Sequence, residues 1–426
     1  MKQTNKKNLN FSYKNYKDTV YKKRIPGYFF KVFTPVYSYI NISYRWNKNF
    51  ILSFMSNHLV YYPTPTNLTY AWSFGSLAGI CLLIQIVSGI FLSMYYIPHT
   101  DFAFASVEFI MRDVNHGWLV RYMHSNGASM FFLVIYCHIF RGLYYGSYFK
   151  PRELLWISGV TLLLLVMATA FLGYVLPWGQ MSFWGATVIT SMFTAIPRIG
   201  HYIVEWLWGG FTVNNPTLNR FFSLHFFIPF VIVGVTFLHL TLLHREGSNA
   251  PISDSTGVDP VPFYPYFFVK DLFAFFCFLF VFAILVFYYP NLLADPNNYI
   301  PADPIHTPRH IVPEWYFLPF YAILRSIPHK VGGILAMLFS LLVLFVIPFI
   351  NTSLVKDTSF RPLFKFFYFA AIADFIILSW IGQSPVRDAY IFVGQVATAY
   401  YFFFFLILIP LTGIIETFLI HHKKSK

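Results

Sequence analysis

Residues 118–146, WLVRYMHSNGASMFFLVIYCHIFRGLYYG, and residues 219–244, NRFFSLHFFIPFVIVGVTFLHLTLLH, are apolar runs that each carry two histidines at one separation. His124 and His138 are fourteen residues apart, as are His225 and His239. Fourteen helical residues make about 3.9 turns and a rise of roughly 21 Å, so each pair falls nearly on one face. A run of about 20 apolar residues is long enough to cross a bilayer. The two stretches therefore read as membrane helices with histidines at two depths.

Six more runs of this kind lie around them. With their breakers they predict eight spans, at approximately 71–96, 118–146, 154–176, 219–244, 268–289, 331–350, 362–381 and 391–418. The chain is 57% hydrophobic and only 11% charged, too little charge to clothe a soluble domain of 426 residues. The net charge of +13 is concentrated at the start, where residues 1–50 hold eleven Lys and Arg against Asp18 alone. Lys423, Lys424 and Lys426 make the other end basic as well. Basic flanks favour the side on which insertion begins, so both termini are placed on one side, here the inner side. An even number of spans satisfies that. No phosphate-binding or base-reading motif accompanies the basic tail, and no nucleic acid is expected as a partner. Cys81, Cys137 and Cys277 form no close pair and read as packing residues.

Alternation sets the directions. The second and fourth spans both run outer to inner, so His124 faces His225 near the outer side and His138 faces His239 near the inner side. A lone membrane histidine is more often a hydrogen-bonded structural residue. Four at matched levels on two parallel helices point instead to metal ligation, in the form of two stacked bis-imidazole haems. The first and third spans carry a complementary pattern, with Gly75 and Gly89 fourteen apart and Gly159 and Gly173 likewise. Glycine lets a helix backbone approach a broad flat group closely. Gly75 and Gly159 fall at the inner level, Gly89 and Gly173 at the outer one. Arg121, Arg141 and Arg220 stand three to five residues from the ligands, where a cation can meet a haem propionate or snorkel to lipid headgroups.

These residues resemble the mitochondrial cytochrome b family. The resemblance runs over roughly 65–418 and rests on FGSLAGICLLIQIVSG, RYMHSNGAS, HIFRGLYYG, GYVLPWGQMSFWGATVIT, EWLWGGF, FFSLHFFIPF, LHLTLLHREGSN and DPIHTPRHIVPEWYFLPFYAILRSIP. It implies an all-α membrane protein of eight transmembrane helices, the first four forming a bundle around two non-covalent b-type haems. The low-potential haem bL would be outer and the high-potential haem bH inner, with Gln85 among the contacts. It also implies the electron-transfer subunit of ubiquinol–cytochrome c reductase, complex III, in the mitochondrial inner membrane with its termini on the matrix side. Implied partners are the Rieske iron–sulfur protein, cytochrome c1 and other complex III subunits, in a homodimeric complex and in respiratory supercomplexes, among membrane lipids. The photosynthetic b6 relatives have one more residue between the ligands of the fourth helix and end after it. The equal spacings and four further spans here favour the respiratory branch.

Direction and resemblance together place two quinone sites. Pro313-Glu314-Trp315-Tyr316 and Pro177-Trp178-Gly179 both fall in outer connections. Quinol oxidation releases protons, and Glu314 suits their acceptance, although a carboxylate after Pro313 also suits a helix start. The family implies that role for Glu314, with Tyr174, Gly185, Pro313 and Tyr321 lining the pocket. At the inner side, His244 and Asp271 suit proton uptake by a quinone, and His244 is equally an interfacial histidine. The family implies both, with Ser248 and Lys270 nearby. The expected organisation is a basic peripheral extension over 1–65, a dihaem bundle over 66–250, and a C-terminal four-span region over 251–426 with the outer loop. Three features depart from the family: the long extension, Phe140 where glycine is common, and Arg245-Glu246 after His244. Readings from other classes are a coupled transporter using membrane histidines, which predicts broken helices around a central cavity, and a scaffold that has lost its haems.

Overall fold

The computed structural model describes residues 49–251 and 260–424. The basic residues of the extension ahead of residue 49 and Lys426 lie outside the described residues. The described part of the chain before Pro63 is a helix, Phe50–Met55, followed by a wide turn at Ser56–Val60. From Pro63 onward the chain gathers into one compact unit.

Among the described residues, eight helices are long and apolar enough to cross a membrane: Tyr70–Ser93, Gly117–Tyr144, Glu153–Val175, Asn215–Glu246, Tyr266–Phe287, Lys330–Ile350, Pro362–Gln383 and Asp388–Ile420. Hydrocarbon offers no hydrogen bonds, so the backbone of each run must satisfy itself as helix. The ends are set by local chemistry. The fourth span opens with a capping box, in which Thr217 Oγ1 accepts from the Asn214 backbone N–H at 3.1 Å and Pro216 follows the cap. It closes at Gly247, whose φ of 75° suits glycine. The sixth span opens on His329, whose Nδ1 accepts from the Gly332 N–H at 3.2 Å.

The first span packs most extensively against the second and the third against the fourth, each glycine helix beside a histidine helix. A buried core continues without a break from Leu77 and Met130 through Leu163 to Leu378 and Phe404, so the first four spans and the last four share one interior. Specific bonds fasten them. Trp156 Nε1 of the third span donates to the Leu344 carbonyl of the sixth at 2.7 Å.

Four short helices lie between spans: Ala103–Arg112, Gln180–Ser191, Gly200–Trp208 and Leu318–Ser326. The last packs against the sixth, seventh and eighth spans. The helix Gln180–Ser191 positions the outer connections. Gln180 at the start of its helix donates through Nε2 to the His306 carbonyl and accepts at Oε1 from the Asp303 N–H, both at 2.9 Å. Asn298 Oδ1 accepts from both the N–H and the hydroxyl of Ser182 at 3.0 Å. The segment after the third span and the long connection after the fifth are thereby locked together. An antiparallel ladder pairs Pro63 with Pro262 and Thr64 with Val261.

Candidate functional site

The outer two histidines meet as a pair. His124 and His225 face each other with ring centres 6.1 Å apart and planes at 84°. Two metal–nitrogen bonds of about 2 Å plus the half-widths of two imidazoles come to roughly 6 Å, so an iron fits between these rings. His138 and His239 lie within electrostatic reach of each other.

The second nitrogen of each ring decides which way the first can point. His225 Nδ1 stands 2.8 Å from the Thr169 carbonyl, which only accepts, so Nδ1 carries the proton. Ser88 Oγ donates to the Ile84 carbonyl at 2.6 Å, which leaves its oxygen to accept from His124 Nδ1 at 2.9 Å. Ser158 repeats this, donating to Leu155 and accepting from His239 Nδ1 at 2.8 Å. In these three rings Nε2 retains its lone pair. His138 differs, because Arg141, which can only donate, holds its Nδ1 at 3.1 Å.

Each glycine named from spacing sits against a histidine. A Cβ at Gly75 would lie 3.3 Å from His138, at Gly89 3.1 Å from His124, at Gly159 3.2 Å from His239 and at Gly173 only 2.3 Å from His225. Gln85 Nε2 donates to the His124 carbonyl at 3.0 Å and its Oε1 is buried without a hydrogen bond.

The arginines divide. Arg141 lies over the Trp72 ring at 5.2 Å, and its Nε is buried without a hydrogen bond, a donor suited to an anionic oxygen. Arg121 lines the cavity described below. Arg220 is engaged elsewhere, donating to the carbonyls of Trp206 and Leu207 at the end of the Gly200–Trp208 helix.

A cavity of about 560 Å³ takes in His124, His225, Gly89 and Gly173, and reaches Arg121, Tyr174 and Glu314. The outer histidine pair and the outer carboxylate thus open on one space. Glu314 precedes the tight turn Trp315–Phe317. That turn is fastened by Trp315 Nε1 to Ser129 Oγ at 3.1 Å and by the Tyr136 hydroxyl to the Tyr316 carbonyl. Burial pushes the Glu314 carboxyl up to about 7; a hydrogen bond from Tyr174 and the charge of Arg121 oppose this, while Asp295 adds to it. The Tyr321 hydroxyl reaches the Ile311 carbonyl at 3.4 Å and its ring lies under Arg325. Pro313 and Gly185 stand outside the cavity lining, and nothing lies within 4 Å of a Cβ built on Gly185.

At the other end, Asp271 lies beside Ser73 and Ser76 at the start of the first span. Lys270 Nζ donates to the Leu68 carbonyl at 2.6 Å and lies over the Tyr70 ring at 4.8 Å. His244 is half-buried in the last turn of the fourth span, and Ser248 is half-buried just beyond it. Arg152 Nε donates to the Gly247 carbonyl at 3.3 Å, tying the start of the third span to this segment.

Residues 59–247 match the family Cytochrome b/b6/petB, and residues 301–402 match Cytochrome b(C-terminal)/b6/petD. Cytochrome b of Phytophthora megasperma is 61% identical over 90% of this chain and 100% of its own length. The chain belongs to the cytochrome b family. Cytochrome b of Chondrus crispus is 56% identical over 89% of the chain and 100% of its own. A chain of a hyperthermophilic respiratory complex III shares the fold at a TM-score of 0.82 and 34% identity, covering 88% of this chain and 99% of that one. As a cytochrome b, the protein is the b-haem-binding, electron-transfer membrane subunit of an oxidoreductase, complex III.

Within that family the departures acquire positions. The Phe140 ring stacks edge-on against Phe375 of the seventh span at 5.4 Å, and its carbonyl accepts from Tyr368 at 3.0 Å. Arg245 and Glu246 pair with each other at 2.8 Å. The sequence reading missed Ser88 and Ser158, the residues that orient two of the imidazoles. A signal was present: each stands immediately before one of the spaced glycines, as Ser88-Gly89 and Ser158-Gly159.

Proposed function

We propose that this cytochrome b holds two b-type haems, the outer (bL) between His124 and His225 and the inner (bH) between His138 and His239, and carries electrons between two quinone sites. The observation that carries the reading is the histidine geometry: His124 and His225 face to face, three of the four rings with Nε2 left free, and a glycine against every ring. A haem in each position supplies a reversible one-electron centre. The buried Nε of Arg141 and the cavity-lining Arg121 suit propionate carboxylates. When Arg141 turns to such a carboxylate, it releases His138 Nδ1, and Nε2 of that ring then carries the lone pair as in the other three. Arg220, bound to helix-end carbonyls, supports the outer level from a distance.

Ubiquinol is the substrate at the outer side. Its oxidation yields two electrons and two protons. Glu314, raised toward neutrality by burial and open to the shared cavity, accepts a proton there. Tyr174 orients that carboxyl, and Pro313, Gly185 and Tyr321, which lie outside the lining of that cavity, belong to the outer site by the family resemblance alone. A haem held by His124 and His225 would supply the acceptor for one electron. The other needs an acceptor outside this chain, which suits a Rieske iron–sulfur protein feeding cytochrome c1, since three scattered cysteines cannot ligate a cluster. At the inner side, His244 and Asp271, with Ser248 and Lys270 beside them, supply protons to ubiquinone as it is reduced. The high identity to the cytochrome b of Phytophthora megasperma and of Chondrus crispus, together with the basic termini, supports the mitochondrial inner membrane, with both ends on the matrix side. A homodimer with other complex III subunits and membrane lipids around it, in respiratory supercomplexes, completes the proposed assembly.

The test uses the purified complex. Quinol should reduce the b haems, and Glu314→Gln should slow that reduction while leaving haem content unchanged. Unaltered reduction kinetics in the variant would remove Glu314 from the outer site.

A further inference from the structure

The seventh span carries an acid that the electron path does not use. Asp374 lies twelve residues into Pro362–Gln383, a rise of roughly 18 Å from its start and thus deep in the membrane. It is only 7% exposed, and among the described residues it makes no hydrogen bond or ion pair. A buried carboxyl without a partner is costly, more so when charged.

Two independent features face it. The first is a cavity of about 50 Å³ lined by Asp374 together with Tyr136, Tyr368 and Tyr401. About 10–15 Å³ of such space admits one water molecule. The three hydroxyls already donate to the carbonyls of Tyr316, Phe140 and Ser340 respectively, so each oxygen keeps a lone pair toward the cavity. Among the described residues, no Lys, Arg or His lines the cavity to neutralise a carboxylate. The second feature is the eighth span, which widens into a π-turn at Phe404–Leu408 beside this space; Phe404 and Phe405 form part of its wall. Single wide turns inside α-helices recur at functional positions.

We propose that Asp374, the three tyrosines and the wide turn form an internal hydration site, in which one or two water molecules bridge a protonated carboxyl to the tyrosine oxygens. The ligand is water, and the site holds an exchangeable proton within the bilayer, separate from both quinone sites. It gives the wide turn a purpose, because a regular helix would draw Phe404 and Phe405 into a different register.

Infrared difference spectroscopy of the assembled complex on transfer from H2O to D2O tests this. The wild type should show the carbonyl band of a protonated aspartic acid, shifted in D2O, and Asp374→Asn should lack it while both haem spectra stay unchanged. Loss of carboxylate bands in the variant instead, or a wild-type carbonyl band insensitive to D2O, would overturn the proposal. If Asp374→Asn fails to assemble, a density map of the wild-type complex fine enough to show water decides. Water bonded to Asp374 supports the site, and a dry cavity refutes it.

Discussion

At Gly173 one missing carbon is decisive. A Cβ there would stand 2.3 Å from His225 Cε1, and that ring is held in place by its hydrogen bond to the Thr169 carbonyl. Gly173→Ala is therefore expected to remove the outer haem, read as a fall in haem per polypeptide. Gly79→Ala and Gly234→Ala, where nothing lies within 4 Å, should leave haem content unchanged. On the proposed reading, Glu314 carries the pH dependence. Its carboxyl is pushed up to about 7, so the proton-accepting form grows as pH rises through that value, and kcat/KM for quinol should climb with it. Glu314→Gln should abolish that limb and lower the rate by on the order of 10²–10⁴-fold, the usual worth of a positioned base. Tyr174→Phe removes a hydrogen bond that holds the carboxyl down, so the limb should move to higher pH. A limb that stays in place in a pH–rate profile would remove Tyr174 from this role.

Among the elements, the spans were legible and the pieces between them were not. Apolar runs, prolines and glycines placed all eight helices within a few residues of where they lie. The helices Ala103–Arg112, Gln180–Ser191, Gly200–Trp208 and Leu318–Ser326 are too short to form a spanning run, and tertiary contacts decide their structure. For the same reason the Gln180 and Asn298 bonds that lock the outer connections have no signature in spacing. Glycine at fourteen-residue intervals located the histidine partners, whereas Arg220 beside a ligand in sequence turned out to bind helix-end carbonyls. A buried ion pair was also invisible. Arg361 Nε donates to Glu416 Oε2 at 2.8 Å with both side chains almost wholly buried, and Glu416 Oε1 accepts from the Phe364 N–H. It fastens the end of the eighth span to the start of the seventh. Arg361→Met or Glu416→Gln alone should cost about 3–5 kcal/mol by stranding a charge or its partner, while Arg361→Met with Glu416→Leu should recover most of that. Thermal loss of haem absorbance orders the three variants. A double variant less stable than either single one would contradict the account.

Across the whole molecule, a single interior joins the bundle to the last four spans, and the outer cavity joins a histidine pair to a carboxylate. On the proposed reading, that space would hold a redox centre beside a proton acceptor, as electron entry from a quinol requires. The other histidine pair lies at a second depth, beyond that cavity's lining. The central claim is that the four histidines act as two independent pairs. It is tested most directly by reduced-minus-oxidised visible spectra of purified complexes carrying His225→Leu or His239→Leu. His225→Leu should lose the outer haem and keep the inner one, and His239→Leu should do the reverse, so that the two variants show spectrally distinct b centres. Retention of both haems in either variant, or loss of the same haem in both, would contradict it.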